Sequence, residues 1–226
     1  NGDEIQSKNI AQLKIIKKPY FYQRPSFIIS VLAIVIGVVI LIIKMRFDRL
    51  KRQKQETEKM SIEVIQALVG TIDAKDKYTN GHSIRVAQYS KLISKALGDT
   101  EEEQKRVYYS ALLHDIGKIG IPDTIINKPA ALTSEEYDIV KTHPDIGSQI
   151  LKSITSMKEI SVGARWHHEH FDGSGYPDKL KGENIPKIAR IICVADAYDA
   201  MTSNRSYRNY MAQADVRKEF EENKGS

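Results

Sequence analysis

The residues most capable of chemistry are crowded into "WHHEHFDGSGYPD", residues 166–178. It carries His167, His168, Glu169, His170 and Asp172, then runs into a Gly-Ser-Gly-Tyr-Pro turn. The chain has six histidines, and all lie between His82 and His170. His114 and Asp115 are adjacent in "ALLHDIGKIGIPD", His143 precedes Pro144, and Asp196 sits among apolar neighbours in "RIICVADAYDAM". Imidazole with carboxylate and without thiolate suits iron, manganese or zinc rather than calcium or a thiolate-bound structural zinc. The single cysteine, Cys193, excludes a disulfide framework and a cysteine-based zinc site, and its apolar neighbours read as those of a buried core thiol.

Each of these features is ordinary alone. A His-Asp pair at a helix end is usually a polar cap, and His-His doublets are frequent on surfaces. Their conjunction points to metal, provided that the intervening elements bring them together. The gaps between them, 24 to 32 residues, each equal one helix plus a loop. One side chain per helix can then point into the interior, which is how helical bundles build metal sites.

The intervening sequence supports that reading. Thr100 with Glu103, and Thr133 with Glu136, fit the S/T-x-x-E capping box. "HSIRVAQYSKLISKALG" places Val86, Tyr89, Leu92, Ile93 and Leu97 on one helix face and stops at Gly98. "IPKIARIICVADAYDAM" begins at Pro186 and is too long for an ordinary strand. No alternating run with hairpin turns competes, so the expected fold is all-α.

The N-terminal part does something else. Residues 27–43, "FIISVLAIVIGVVILII", carry no charge and would rise about 25 Å as a helix, close to the roughly 30 Å hydrocarbon core. Tyr20, Phe21 and Tyr22 supply an aromatic belt, Pro25 starts the helix, and Arg24 and Lys44 can snorkel. A transmembrane helix over 25–45 is the expectation; a signal-peptide core and a buried helix are the alternatives. The net charge of +5 is largely local, since residues 44–60 carry seven Lys/Arg against Asp48, Glu56 and Glu58. A nucleic-acid-binding face is therefore not indicated. Seven Lys/Arg follow the span within twenty residues and five precede it, a modest bias toward a cytoplasmic C-terminal side. Residues 1–24 read as the tail of a larger extracytoplasmic domain, and 46–60 as a charged signalling helix or linker. Ile62, Ile65, Val69 and Ile72 continue as an apolar stripe. It suits a helix paired with a second copy in a homodimer, the first core helix of the next domain, or both.

"ALLHDIGKIGIPD", "HHEHFDGSGYPDKLKGENIP" and "ADAYDAMTSNRSYR" together closely resemble the HD-GYP family of cyclic-di-GMP phosphodiesterases, a branch of the HD metal-dependent phosphohydrolases. The resemblance covers about residues 61–220, and its motifs are long and specific. It implies an HD-domain helical bundle over 61–226 with a dinuclear centre of iron or manganese. The implied ligands are His82, His114, Asp115, His143, His167, His168 and Asp196, with Asp115 bridging. Lys118 would contact the substrate phosphate or the bridging solvent. Gly175, Tyr176 and Pro177 would shape a loop beside the substrate groove, and Arg205 and Arg208 would hold phosphate. Glu169, His170, Asp172 and Asp199 have no metal role in that pattern and read as supporting or surface groups.

The implied reaction is hydrolysis of cyclic-di-GMP to linear pGpG, with GMP as a further product, at the cytoplasmic face of the inner membrane. GGDEF-type signalling proteins are partners that the Gly-Tyr-Pro loop could bind. Two departures stand out. Some members place a metal-binding glutamate four residues before the first histidine, where this chain has Tyr78; a phenol is a poor ligand, so two metals rather than three are expected. Family domains also continue beyond the equivalent of "EENKGS", so the domain reads as cut short. The competing readings are a catalytically silent domain that binds a nucleotide or partner, and an HD phosphohydrolase for another cyclic dinucleotide.

Overall fold

In a computed structural model, the described residues are 17–76, 81–203 and 210–225, and among them the only regular secondary structure is helical. The helices are α1 (Pro25–Lys75), α2 (His82–Ala96), α3 (Glu101–Leu112), α4 (Asp123–Ile126), α5 (Ser134–Val140), α6 (His143–Leu151), α7 (Glu159–Trp166), α8 (Lys187–Thr202) and α9 (Gln213–Glu222). Short 3-10 turns occupy Phe21–Gln23, Ile116–Gly120 and Gly182–Asn184. The chain divides between Lys59 and Met60 into two compact units.

In the first unit, α1 holds a stretch long and apolar enough to cross a membrane by length and composition. Every side chain of residues 26–50 is exposed, so this stretch is not the core helix of its unit. So much apolar surface facing outward marks a face that water does not solvate favourably. Tyr20 and Tyr22 stack at 5.5 Å, and Phe21 meets Phe27 edge-on at 5.5 Å, forming an aromatic cluster at the start of the helix.

The second unit is a bundle in which α2 packs on α3 and α8, α3 on α7, and α6 on α7 and on the Ile116–Gly120 turn. Both capping boxes form: Thr100 and Thr133 accept from the backbone N–H of Glu103 and Glu136, whose carboxylates accept in return. Each such cap is worth about 1 kcal/mol, and the two fix where α3 and α5 begin. The core includes Val69, Val86, Leu112, Leu151, Ile160 and Ile192. Burying each of these side chains contributes about 1.5–3 kcal/mol. Val69 and Ile72 are buried, with Ile62 and Ile65 packed against the same core, so the apolar stripe of α1 is a core face.

Two expectations need correcting. Leu92 and Leu97 do not lie on the buried face of α2; they are exposed. The buried stripe is Ser83, Val86, Ala87, Ser90 and Ser94, mostly small residues that let α2 approach its neighbours closely. Nor is Cys193 a core thiol. Ile192 and Ala195 take the core side of α8, leaving Cys193 half-buried in a groove with Phe171, Met201 and Phe220.

Gly117 is the tightest point of the bundle. A Cβ there would lie 1.9 Å from the carbonyl oxygen of His143 and 2.5 Å from the nitrogen of Gly147. Only the absence of a side chain lets the turn after Asp115 sit against the first turn of α6. Gly117→Ala is expected to destabilise the fold by about 1–3 kcal/mol through overpacking. Gly70→Ala has nothing within 4 Å and is expected to be neutral or stabilising by up to about 1 kcal/mol. Chemical denaturation of both variants checks the contrast.

Candidate metal centre

Five of the six histidines sit at helix boundaries, and local hydrogen bonding explains why. The last carbonyls of a helix have no partner within it. His114 donates from Nδ1 to the carbonyl of Ala111 at 2.7 Å, His143 to that of Val140 at 2.7 Å, and His167 to that of Ala164 at 2.9 Å. Each bond spans three residues and satisfies a carbonyl near the end of α3, α5 or α7. Each also places the proton on Nδ1 and leaves Nε2 as an outward lone pair.

Those lone pairs converge on Asp115. Its Oδ2 lies 3.4 Å from His114 Nε2 and 3.9 Å from His82 Nε2. Its Oδ1 lies 3.3 Å from His143 Nε2 and 3.8 Å from His167 Nε2. Two donor groups result, each with ligand atoms within 4.8 Å of one another: Asp115, His143, His167 and His168 in one, His82, His114 and Asp115 in the other. Asp115 belongs to both, one oxygen facing each. Asp196, in the middle of α8, adds Oδ1 at 3.3 Å from His82 Nε2.

The donor set fits cations. His143 Nε2 and His167 Nε2 are 3.3 Å apart, and with both protons on Nδ1 two lone pairs face each other. His114 Nε2 is buried and has no hydrogen-bond partner among the described residues. A buried lone pair without a donor costs free energy, and so do two that are opposed. Divalent metal held among these donors would remove both costs.

The electrostatics agree. Burial pushes the His167 imidazole well below its ordinary range and His168 down to about 3, so both are neutral and available to coordinate. Burial opposes charge on Asp115 and Asp196, yet Lys118 and the histidines beside Asp115, and His82 beside Asp196, hold both carboxyls well below the usual carboxylate range. Burial also lowers His82, but the carboxylates of Asp196 and Asp199 on its two sides outweigh it and raise the imidazole to about 9. That position attracts positive charge at Nε2, whether a proton or a metal.

Lys118, one turn past Asp115, contacts Asp115 Oδ2 at 2.6 Å and Asp76 Oδ2 at 3.2 Å. Burial works against its charge, but the two carboxylates keep the amine above its ordinary value. The last turn of α1 is tied in nearby. Asp73 accepts from Ser83 at 2.8 Å, next to His82, and Lys75 donates to the carbonyls of Ile119 and Ile121 at 2.8 and 2.6 Å.

The Gly-Tyr-Pro loop closes over the α7 end. A Cβ on Gly175 would lie 2.3 Å from the nitrogen of His170 and 2.5 Å from the carbonyl oxygen of His168, so only glycine fits. Tyr176 donates its backbone N–H to His168 at 3.1 Å and stacks its ring on that imidazole, centroids 4.7 Å apart. Pro177 follows through a cis peptide bond. Asp178 is held by Trp166 Nε1 at 2.8 Å and by Arg165.

Among the groups expected to support the site, Glu169 and Asp199 are fully buried, while His170 and Asp172 are exposed. Glu169 accepts the backbone N–H groups of Asp178 at 2.7 Å and Leu180 at 2.9 Å, pinning the Gly-Tyr-Pro loop. Sequence reasoning missed Asp73, Asp76 and Arg85. A signal was present in "IDAKD", two carboxylates shortly before the first histidine. Tyr78, Arg205 and Arg208 lie outside the described residues.

An all-helical domain with two His/Asp groups sharing one carboxylate defines a metal-binding helical bundle of the His-Asp type. A family model described as "HD domain" matches residues 38–226, and the chain belongs to that family. It is 41% identical over 164 residues to the cyclic di-GMP phosphodiesterase response regulator RpfG of Xanthomonas campestris, covering 71% of this chain and 43% of that protein. It is 36% identical over 176 residues to 3'3'-cGAMP-specific phosphodiesterase 2 of Vibrio cholerae, covering 76% of this chain and 33% of that one. The chain thus spans less than half the length of either relative. In fold it is similar to a crystal structure of a cyclic GMP-AMP specific phosphodiesterase of Vibrio cholerae (TM-score 0.55, 20% identity, 72% of this chain and 44% of that one).

Asp115→Ala is expected to abolish tight binding of divalent metal, because it removes a donor shared by both groups, with little change in helix content. His170→Ala is expected to keep full metal content. Elemental analysis alongside circular dichroism checks both.

Proposed function

We propose that this chain is the catalytic part of a membrane-anchored, metal-dependent phosphodiesterase that opens cyclic-di-GMP to linear pGpG. The observation that carries this reading is the placement of Asp115, whose two carboxylate oxygens face separate histidine groups while Lys118 stands 2.6 Å away. The similarity to the Xanthomonas cyclic di-GMP phosphodiesterase supports the choice of substrate.

His82, His114, Asp115 and Asp196 would hold one cation, and Asp115, His143, His167 and His168 the other, with iron or manganese suited to this donor set. Two such ions, when bound, lower the pKa of a shared water and neutralise a phosphodiester. Asp115 spaces the two positions. Lys118, steadied by Asp76, offers an ammonium where negative charge builds on the phosphoryl oxygens. Gly175, Tyr176 and Pro177 form one wall beside His168, and Arg205 and Arg208 would grip the second phosphate, a task that suits guanidinium. The apolar part of α1 would cross the inner membrane with residues 44–226 in the cytoplasm. Residues 46–60 would pair with a second copy to relay an extracytoplasmic signal, and the Gly-Tyr-Pro loop would be the contact for a GGDEF-type partner.

A related substrate is the specific alternative, because a comparable similarity extends to a 3'3'-cGAMP phosphodiesterase. The deciding experiment incubates manganese- or iron-loaded protein with each dinucleotide and separates the products. The expected result is pGpG, lost with chelator and in Asp115→Ala, with cyclic GMP-AMP cut at least tenfold less efficiently by kcat/KM. Preference for cyclic GMP-AMP would change the substrate; no cleavage by protein holding two metals would leave a silent binding domain. Tyr78→Glu is expected to raise the metal count from two toward three and to increase the ratio of GMP to pGpG, whereas Tyr78→Ala is not.

A further inference from the structure

Three of the histidines in the two donor groups are held from behind by neutral carbonyls, those of Ala111, Val140 and Ala164. His82 is held differently. Its Nδ1 donates to Asp199 Oδ2 at 2.7 Å, and Asp199 is 1% exposed. Asp199 lies three residues after Asp196 on α8, and residues so spaced share a helix face. That face therefore presents carboxylates to both nitrogens of one imidazole: Asp196 Oδ1 at 3.3 Å from Nε2, and Asp199 at Nδ1. Asp199 is itself fixed by Arg85, through Nε at 2.6 Å and Nη2 at 3.0 Å, and by Ser203 Oγ at 3.1 Å.

A carboxylate behind a coordinating imidazole sets its tautomer and orientation and makes the far nitrogen a stronger donor, more so than a neutral carbonyl does. The two positions then differ in kind. One has three imidazoles, His143, His167 and His168, and a single carboxylate. The other has two carboxylates, Asp115 and Asp196, and two imidazoles, of which His114 is backed by a carbonyl and His82 by a third carboxylate.

We infer that Asp199 is a positioning residue for one metal position only, holding His82 with Nε2 directed at Asp115 and Asp196 and thereby making the two metal positions inequivalent. Arg85 and Ser203 donate to Asp199 but are not part of the donor set, and the Asp199–His82 bond does not depend on Arg85. The inference rests on the two-cation reading of the site.

The test is titration of metal-depleted protein with Mn2+, followed by the electron paramagnetic resonance signal of free and bound ion. Wild type is expected to bind two equivalents. Asp199→Asn keeps the side-chain shape and removes the charge; it is expected to weaken one equivalent about ten- to hundredfold and leave the other unchanged. Arg85→Gln leaves the Asp199 carboxylate in place and is expected to keep both equivalents within about threefold of wild type. Equal weakening of both equivalents in Asp199→Asn, or no change in either, overturns the inference while leaving the two-cation reading intact. So does a loss in Arg85→Gln matching that in Asp199→Asn, which would make Asp199 a structural anchor. Failure of wild type to bind two ions overturns the two-cation reading, and this inference with it.

Discussion

Asp115 must keep a negative charge where almost no water reaches it, and the rest of the bundle is arranged around that demand. The residue is 7% exposed. A carboxylate removed from water loses several kcal/mol of solvation unless positive charge and hydrogen bonds replace it. Lys118 replaces part of it from one turn away, and Asp76 shares the lysine in turn. The histidine nitrogens on either side of the carboxylate are the remaining neighbours, Nε2 of His82 and His114 facing one oxygen and Nε2 of His143 and His167 the other. Such an arrangement is unfavourable as a store of bare lone pairs and favourable as a cradle for divalent metal. The cluster is better explained by ligand chemistry than by fold stability.

Much of this was legible in the sequence because its logic is local. A histidine near the end of a helix, a capping Thr three residues before a Glu, and an apolar run of membrane length all declare themselves over a few positions. The seven expected ligands come from five separate stretches, and the structure brings their donor atoms into one neighbourhood. The groups that orient them were less legible, because their partners are remote in the chain. Asp199 meets His82 across 117 residues and Asp76 meets Lys118 across 42, so neither role has a sequence signature. Glu169 looked like one more polar residue in a histidine-rich run, yet its carboxylate fastens the backbone of Asp178 and Leu180. The misreading of α2 has another cause: large apolar residues dominate a periodicity count, whereas close helix approach selects small ones, and Leu92 and Leu97 were left outside.

The two units place their apolar side chains differently. In the bundle, apolar side chains turn inward and most buried polar ones are paired, His114 Nε2 being an exception. Along residues 27–43 of α1 the order is inverted: the run carries no charge, and its side chains are all exposed. The helix needs no partner for its backbone in either setting, since its hydrogen bonds are internal. A single α-helix is one of the few elements that can pass from one such environment to the other without exposing unsatisfied amides.

The three-residue hydrogen bonds at His114, His143 and His167 have a consequence for how such a site fails. Each imidazole takes its direction from its own helix end, so that direction survives as long as the helix does. What is not locally guaranteed is the distance between helix ends, which depends on contacts such as that of Gly117 with the backbone of His143. Coordination bonds tolerate errors of only about 0.2 Å, far less than a hydrophobic core needs to remain folded. Small repacking errors in this bundle will therefore spoil its aim before they threaten its cohesion. Variants that melt normally yet bind metal poorly are the kind of damage this construction invites.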